Sequence, residues 1–159
     1  MHAFEALAAT LDYPMYIVTT SAQDERAGCL VGFTTQCSID PPRFLVCLSK
    51  ANRTERVARH AEVLVVHLVD AERRDLAELF GGETGDEVDK FAGVRWEPGP
   101  AGAPVLDDCA RWFAGRILDR FDLGDHVGYL LEPVDGAAEA AGPFFTFQSA
   151  RTIEAGHPA

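Results

Sequence analysis

The chain has no apolar run long enough to span a bilayer. Its first eleven residues carry Glu5 and no Lys or Arg, so they do not resemble a signal peptide. A cytoplasmic protein is expected. Positive charge is scarce: 14 Lys and Arg stand against 25 Asp and Glu, a formal net charge of -11. That excludes a broad surface tracking nucleic-acid phosphates, while leaving room for one anionic ligand held by local charge. No two of the cysteines Cys29, Cys37, Cys47 and Cys109 form a CxxC pair, and free buried thiols are expected rather than disulfides. The histidines His2, His60, His67, His126 and His157 show neither HExxH nor HxH spacing, so no metal site is expected. Gly81 to Gly85 lacks the Gly-Lys-Ser/Thr of a phosphate-binding P-loop, and no GxGxxG marks a Rossmann domain.

What is present is strand-rich. A length of 159 residues suits one domain, expected over residues 1–159 with a core of about 13–148 and a flexible C-terminal tail. Phe4, Leu7, Ala8 and Leu11 share one face of a short helix over residues 2–11, which Pro14 ends. Strands are expected over Met15–Thr20, Gly28–Thr34, Arg43–Ser49, Glu62–Val69, much of Val105–Phe121, Val127–Pro133 and the aromatic Phe144–Phe147. Gly115 is expected at a bend or bulge. Ser21–Ala27 reads as a charged turn, Thr35–Asp40 as a polar turn, Gly81–Gly85 as a flexible loop and residues 135–142 as loose chain. Asn52 and Glu55 resemble a capping box, and Asp70 suits the cap of a helix reaching Phe80 with Leu76, Leu79 and Phe80 turned inward. Asp86–Phe91 is a further helical turn. Helices inserted among strands, rather than alternating with them, point to a mainly β antiparallel barrel with peripheral helices. Phe44–Leu48 is apolar on both alternating faces, as in a closed barrel or at a subunit interface.

The most informative stretch is Gly28–Thr54. Two runs of hydroxyl, amide and cationic groups flank one apolar strand there, a cradle for a planar cofactor bearing phosphate. Thr34, Thr35, Gln36 and Cys37 can meet a ring and its side chain. Ser49, Lys50, Arg53 and Thr54 can meet the phosphate, with helix N–H groups near Asn52 adding to them. Each run is also what an ordinary polar turn or a solvated helix start looks like. His126, after Gly124 and Asp125, suits either a donor beside the cofactor or a surface turn. His67 sits in an apolar strand and reads as core. Phe33, Trp112, Phe145 and Phe147 are candidate walls for a stacked ring.

Taken in order, YPMYIVTT, GFTTQCSIDPP, FLVCLSKANRT, LAELFGG with DKF, GDHVGYLLEPV and PFFTF resemble the flavin reductase-like family over roughly Tyr13–Phe147. The family's common Asn-Ser-Phe-Ser-Ser-Val-Ser is here Gly32 to Ser38, with the Asn lost and hydroxyls kept. The resemblance implies an FMN-binding split barrel of antiparallel Greek-key type and a homodimer. It implies hydride transfer from NADH or NADPH to FMN or FAD, and a monooxygenase partner receiving reduced flavin. It gives Phe33, Thr34, Thr35, Gln36, Cys37, Ser49, Lys50, Arg53, Thr54, Lys90 and Phe91 cofactor-binding roles, and His126 a catalytic one. The competing readings are a flavin- or deazaflavin-dependent oxidoreductase acting on a small organic substrate, and a flavin-binding protein without catalysis.

Overall fold

The structure is a computed structural model and describes residues 2–82 and 89–153. Helix α1 (His2–Thr10) precedes β1 (Tyr16–Ala22), β2 (Glu25–Val31), β3 (Thr34–Ile39) and β4 (Pro42–Ser49). Then come α2 (Arg53–Ala58), β5 (Val63–Leu68) and α3 (Arg74–Gly82). After a 3-10 turn at Lys90–Gly93 follow β6 (Trp96–Pro98), β7 (Pro104–Leu106), β8 (Trp112–Asp122), β9 (His126–Ala137) and α4 (Phe147–Ala150). Seven strands form one antiparallel sheet in the order β2-β1-β5-β8-β9-β4-β3. Its outermost strands, β2 and β3, are joined through Gly32 and Phe33 alone. Three Cα steps reach at most about 11 Å, so the sheet must curl until its edges meet. The mainly β barrel expected from the sequence is therefore the fold.

Strand alternation fills the barrel. Phe44, Val46 and Leu48 of β4, Tyr129 and Leu131 of β9, Val18 of β1 and Leu64 and Val66 of β5 share one inner cluster. Gly115 carries the expected irregularity, a register shift after Ala114, and a Cβ there would come within 2.7 Å of Leu131. Beneath β2, Leu76, Ala77 and Phe80 of α3 join Met15, Ile17 and Phe91 in a second cluster, with Leu79 packed at its margin.

Several expected boundaries shift, each for a local reason. The charged turn shrinks to Gln23 and Asp24, both at positive φ, as a two-residue hairpin demands of its central residues. Thr35–Asp40 is not a turn: Thr34–Ile39 is β3, polar because it lies at the sheet's edge with Thr35, Gln36 and Cys37 exposed. A bulge falls between Gln36 and Ser38, and the Asp40-Pro41 peptide bond is cis. Asp70 does not cap α3. Its carboxylate accepts from Arg111 at 2.8 Å, and the helix starts later, at Arg74. Asn52 caps α2 by accepting from the Thr54 N–H, but Glu55 turns inward, where its carboxylate accepts from the Tyr129 hydroxyl at 2.8 Å and from Arg59 at 2.6 Å. Gly81 and Gly82 end α3, while residues 83–85 of that expected loop and 86–88 of the expected helical turn lie outside the described residues; the turn's second half meets a 3-10 helix, Lys90–Gly93, capped by Asp89. Asp135–Ala137 extends β9. Phe144–Phe147 makes only isolated bridges, to Asp70 and Pro14, before α4 begins, because Pro14 and Pro143 cannot donate to a continuous ladder. The tail expected after residue 148 is described to Ile153 and begins inside α4.

Candidate active site

Three segments meet where the barrel closes. The link Gly32-Phe33 is tied to β4 by the Cys47 N–H donating to the Phe33 carbonyl at 2.9 Å. The turn after β4 is tied to the start of β9 by the Lys50 N–H donating to the Asp125 carbonyl at 2.9 Å. Strand register sets Ser49 directly opposite His126. Backbone bonds, not side chains, thus bring Phe33, Ser49 and His126 around one cavity of about 350 Å3. Asn52 completes its polar side. Tyr13 and Phe147, whose rings stack with centroids 4.8 Å apart, form part of the apolar side with Met15 and Ile153.

The His126 imidazole is 5.1 Å from the Phe33 ring, centroid to centroid. Its Nδ1 lies 2.7 Å from Asp125 Oδ1. With an acidic partner on Nδ1, that nitrogen carries the proton and donates, leaving Nε2 as the nitrogen available to a ligand. The same hydrogen bond, from the His126 imidazole, holds the Asp125 carboxyl below the usual carboxylate range. Lys50 Nζ bonds Asp122 Oδ1 at 2.7 Å, and that bond lowers the Asp122 carboxyl likewise. Both partners of this pair are solvent-exposed, so a stronger anion can displace the carboxylate.

The expected cofactor residues fall into four groups. Phe33, Ser49 and His126 share the cavity. Thr34, Thr35, Gln36 and Cys37 continue from its rim along β3, whose outer edge has no strand partner among the described residues and so keeps backbone N–H and C=O groups available. Lys50 is at the turn, exposed beside that rim. The fourth group departs from expectation. Arg53 lines a different cleft, its guanidinium donating to the Arg26 carbonyl at 2.9 Å and to Glu25 at 3.1 Å. Thr54 is buried with its hydroxyl against the Cys29 thiol. Lys90 is buried, donating to the carbonyls of Gly28 at 3.0 Å and Phe80 at 2.9 Å, and Phe91 packs edge-on against Phe80 and Trp96. Thr54, Lys90 and Phe91 are thus buried and do not line the cavity. The N–H groups expected to face an anion are also occupied: Thr54 N–H goes to the Asn52 side chain and Glu55 N–H to the Asn52 carbonyl. Of the aromatic walls, Phe33 and Phe147 line the cavity, Phe145 is buried in the core, and Trp112 packs on the far side against Val63, Val65 and Ala114.

Sequence reasoning passed over Tyr13 and the wall role of Asn52. Tyr13 is brought to the cavity by a contact across the whole chain, the Phe147 N–H donating to its carbonyl at 2.9 Å. Asn52 read as a cap and is one; nothing in its spacing shows that it also borders a cavity.

The closure point of this antiparallel barrel thus carries a partly exposed histidine beside a hydroxyl-rich edge strand. The chain belongs to the flavin reductase like domain family, whose model matches residues 8–152. It is similar to an FMN reductase (NADH) RutF of Bradyrhizobium diazoefficiens, 34% identical over 74% of this chain and 65% of that protein. It is also similar to a stachydrine N-demethylase reductase subunit of Rhizobium meliloti, 33% identical over 72% of this chain and 50% of that one. The chain thus spans between half and two thirds of the length of these curated relatives. In fold it is like a flavin reductase domain protein from an Arthrobacter species, with a TM-score of 0.84 at 22% identity, over 99% of this chain and 95% of that one. Among the described residues no helix is long and apolar enough to cross a membrane.

Proposed function

We propose that this single domain is an NAD(P)H-dependent flavin reductase, passing hydride from a nicotinamide to FMN or FAD. The observation that carries the reading is the convergence of Ser49, His126 and Phe33 on one cavity beside a hydroxyl-bearing edge strand. The donor set fits a flavin: outward backbone groups of β3 and the Thr34, Thr35, Gln36 and Cys37 side chains for a polar ring edge and ribityl chain, and Ser49 with Lys50 for a phosphate. A flavin bound there supplies the hydride acceptor. Lys50 exchanges Asp122 for the phosphate. Phe33 and the stacked Tyr13–Phe147 pair limit where a planar ring can lie and keep water from the cavity wall. His126, its tautomer fixed by Asp125, offers Nε2 to orient the nicotinamide or to bond the cofactor ring. Holding the two rings in contact is most of the catalytic task.

We further propose a homodimer. The outward side of β4 and β9 presents Leu45 opposite Leu130, and Leu123, lying over Gly128 beside the exposed Phe121, extends the apolar area. A second copy would cover it. A separate monooxygenase is the proposed receiver of reduced flavin; the relatedness to the reductase subunit of an N-demethylase supports a separate partner component. Four free cysteines suit the reducing cytoplasm. The test is direct: mix the purified chain with FMN or FAD and NADH or NADPH and follow nicotinamide oxidation. Turnover that needs added or bound flavin supports the assignment. Flavin that binds but is never reduced by either nicotinamide overturns it in favour of a non-catalytic flavin carrier.

A further inference from the structure

Tyr129 belongs to the apolar cluster inside the barrel, with Val46, Leu48, Leu64 and Leu131, and Glu55 reaches it from α2 with only 2% of its surface exposed. Filling that space needs no carboxylate. A buried charge carries a desolvation penalty that an apolar side chain of similar size avoids, so the pair calls for a reason other than packing. Both carboxylate oxygens are engaged, each by a different element. Oε2 accepts from the Tyr129 hydroxyl at 2.8 Å and Oε1 from Arg59 at 2.6 Å. Burial, and then the hydrogen bond to Glu55, push the Tyr129 phenol above its usual pKa, so it remains a donor across the neutral range. Arg120 of β8 adds a tie at the far end of the helix. It donates to the carbonyls of Ala58 at 3.0 Å and Ala61 at 2.8 Å, with its guanidinium carbon 5.3 Å from the centre of the Tyr129 ring. The seat of α2 is thus set by directional bonds as well as by apolar contact.

That seat bears on the cavity. Asn52, which borders it, caps the same helix three residues before Glu55. The turn before the cap is closed on itself, the Asn52 N–H donating to the Ser49 carbonyl at 3.0 Å and the Ala51 N–H to the Ser49 hydroxyl at 3.3 Å. Ser49 stands opposite His126 in register, and the Lys50 N–H donates to the Asp125 carbonyl. From His126, β9 runs three residues to Tyr129, about 10 Å at the usual strand rise. Chain and hydrogen bonds therefore close a circuit: His126, Tyr129, Glu55, Asn52, Ser49 and back to His126. The Glu55–Tyr129 bond is a buried side-chain link in it, between the wall that carries Ser49 and Lys50 and the strand that carries His126.

We propose that Glu55 and Tyr129 are positioning residues for the cofactor site: their hydrogen bond holds the 49–52 turn in fixed relation to His126, so that one ligand meets the phosphate contacts and the histidine together. This rests on the flavin reductase reading and deepens it. Tyr129→Phe keeps the ring and removes the hydroxyl, and Glu55→Met keeps the volume and removes the acceptor. In the full chain without added flavin, the backbone amides of Lys50 and Asn52 should exchange hydrogen roughly tenfold faster in both variants, followed by NMR, while that of Leu68, bonded to the Arg111 carbonyl, keeps its wild-type rate. FMN affinity should fall roughly fivefold in both, as pre-organisation is lost. Combining Tyr129→Phe with Lys50→Ala should cost less FMN affinity than the two single losses multiplied, because the bond acts by placing Lys50. Arg59→Ala removes the ion pair and leaves the phenol its acceptor, and should hold FMN affinity within about twofold. Unchanged exchange at Lys50 and Asn52, wild-type FMN affinity in both variants, single losses that multiply independently, or a loss as large in Arg59→Ala would overturn the assignment. So would failure of both variants to fold, which would make the contact one of stability alone. Reduction of FMN by NADH in the wild type tests the parent reading separately, because the exchange rates need no flavin.

Discussion

His67 and His126 both sit on strands of one barrel, yet their surroundings are opposite. His67, on β5, is fully buried. Its Nδ1–H donates to the Ile17 carbonyl at 2.8 Å, and its Nε2 accepts from the Leu106 N–H at 3.0 Å. Both nitrogens are satisfied by backbone and one neutral tautomer is locked in. Burial above all pushes its pKa down to about 4. His126, at the start of β9, keeps 19% of its side chain exposed, has one nitrogen on Asp125 and borders a cavity with the other free for a ligand. The barrel's sealed side turns a histidine into a structural bracket between β1, β5 and β7. Its closure point leaves a histidine with capacity for chemistry. Residue type is the same, and the number of satisfied ring nitrogens separates the roles.

Breaking the sealed side should have the largest effect. His67→Ala leaves the Ile17 carbonyl and the Leu106 N–H buried without partners and opens a void, so unfolding free energy should fall by about 4 kcal/mol. Urea unfolding followed by circular dichroism measures it. A loss comparable to that of an exposed substitution would remove the bracket. A pH series sharpens the same point. The folded pKa of His67 is depressed below its unfolded value near 6.5, so the unfolded chain binds the extra proton first. Stability is full above about pH 6.5 and is lost as pH falls toward 4. Across that pH range the loss comes to about 3 kcal/mol. His67→Gln, which cannot charge, should flatten that slope, and an unchanged slope would assign it to other groups. On the open side, Lys50→Ala should scarcely move the unfolding midpoint, since its bond to Asp122 is exposed. It should weaken flavin binding roughly tenfold by removing one charge-assisted phosphate contact. Flavin titration with unchanged affinity would take Lys50 out of the site.

The barrel was legible because alternation along β4 and β9 and the turn residues between strands are local signals. So was the gathering of Ser49 and His126, through the ordered motifs they belong to. The departures from expectation have separate causes. Thr35–Asp40 looked like a turn because polarity was taken as a sign of chain reversal, whereas an edge strand is polar for its own reason. Lys90 takes its expected role from the Lys-Phe pair of the family resemblance, whereas in the fold it is buried and donates to the carbonyls of Gly28 and Phe80. Arg53 is next to Asn52 in sequence, but the start of α2 turns it into the other cleft. Tyr13 meets Phe147 through a contact that no local pattern encodes.

The measurement that bears most directly on the account is anaerobic stopped-flow reduction of flavin by NADH in the wild type and in His126→Ala, each saturated with flavin. The account predicts unchanged unfolding and flavin affinity in the variant, with reduction slowed at least roughly tenfold, as loss of a positioned hydrogen-bonding group at the reacting rings should do. A wild-type reduction rate in His126→Ala would contradict it, and would make this histidine as much a structural residue as His67.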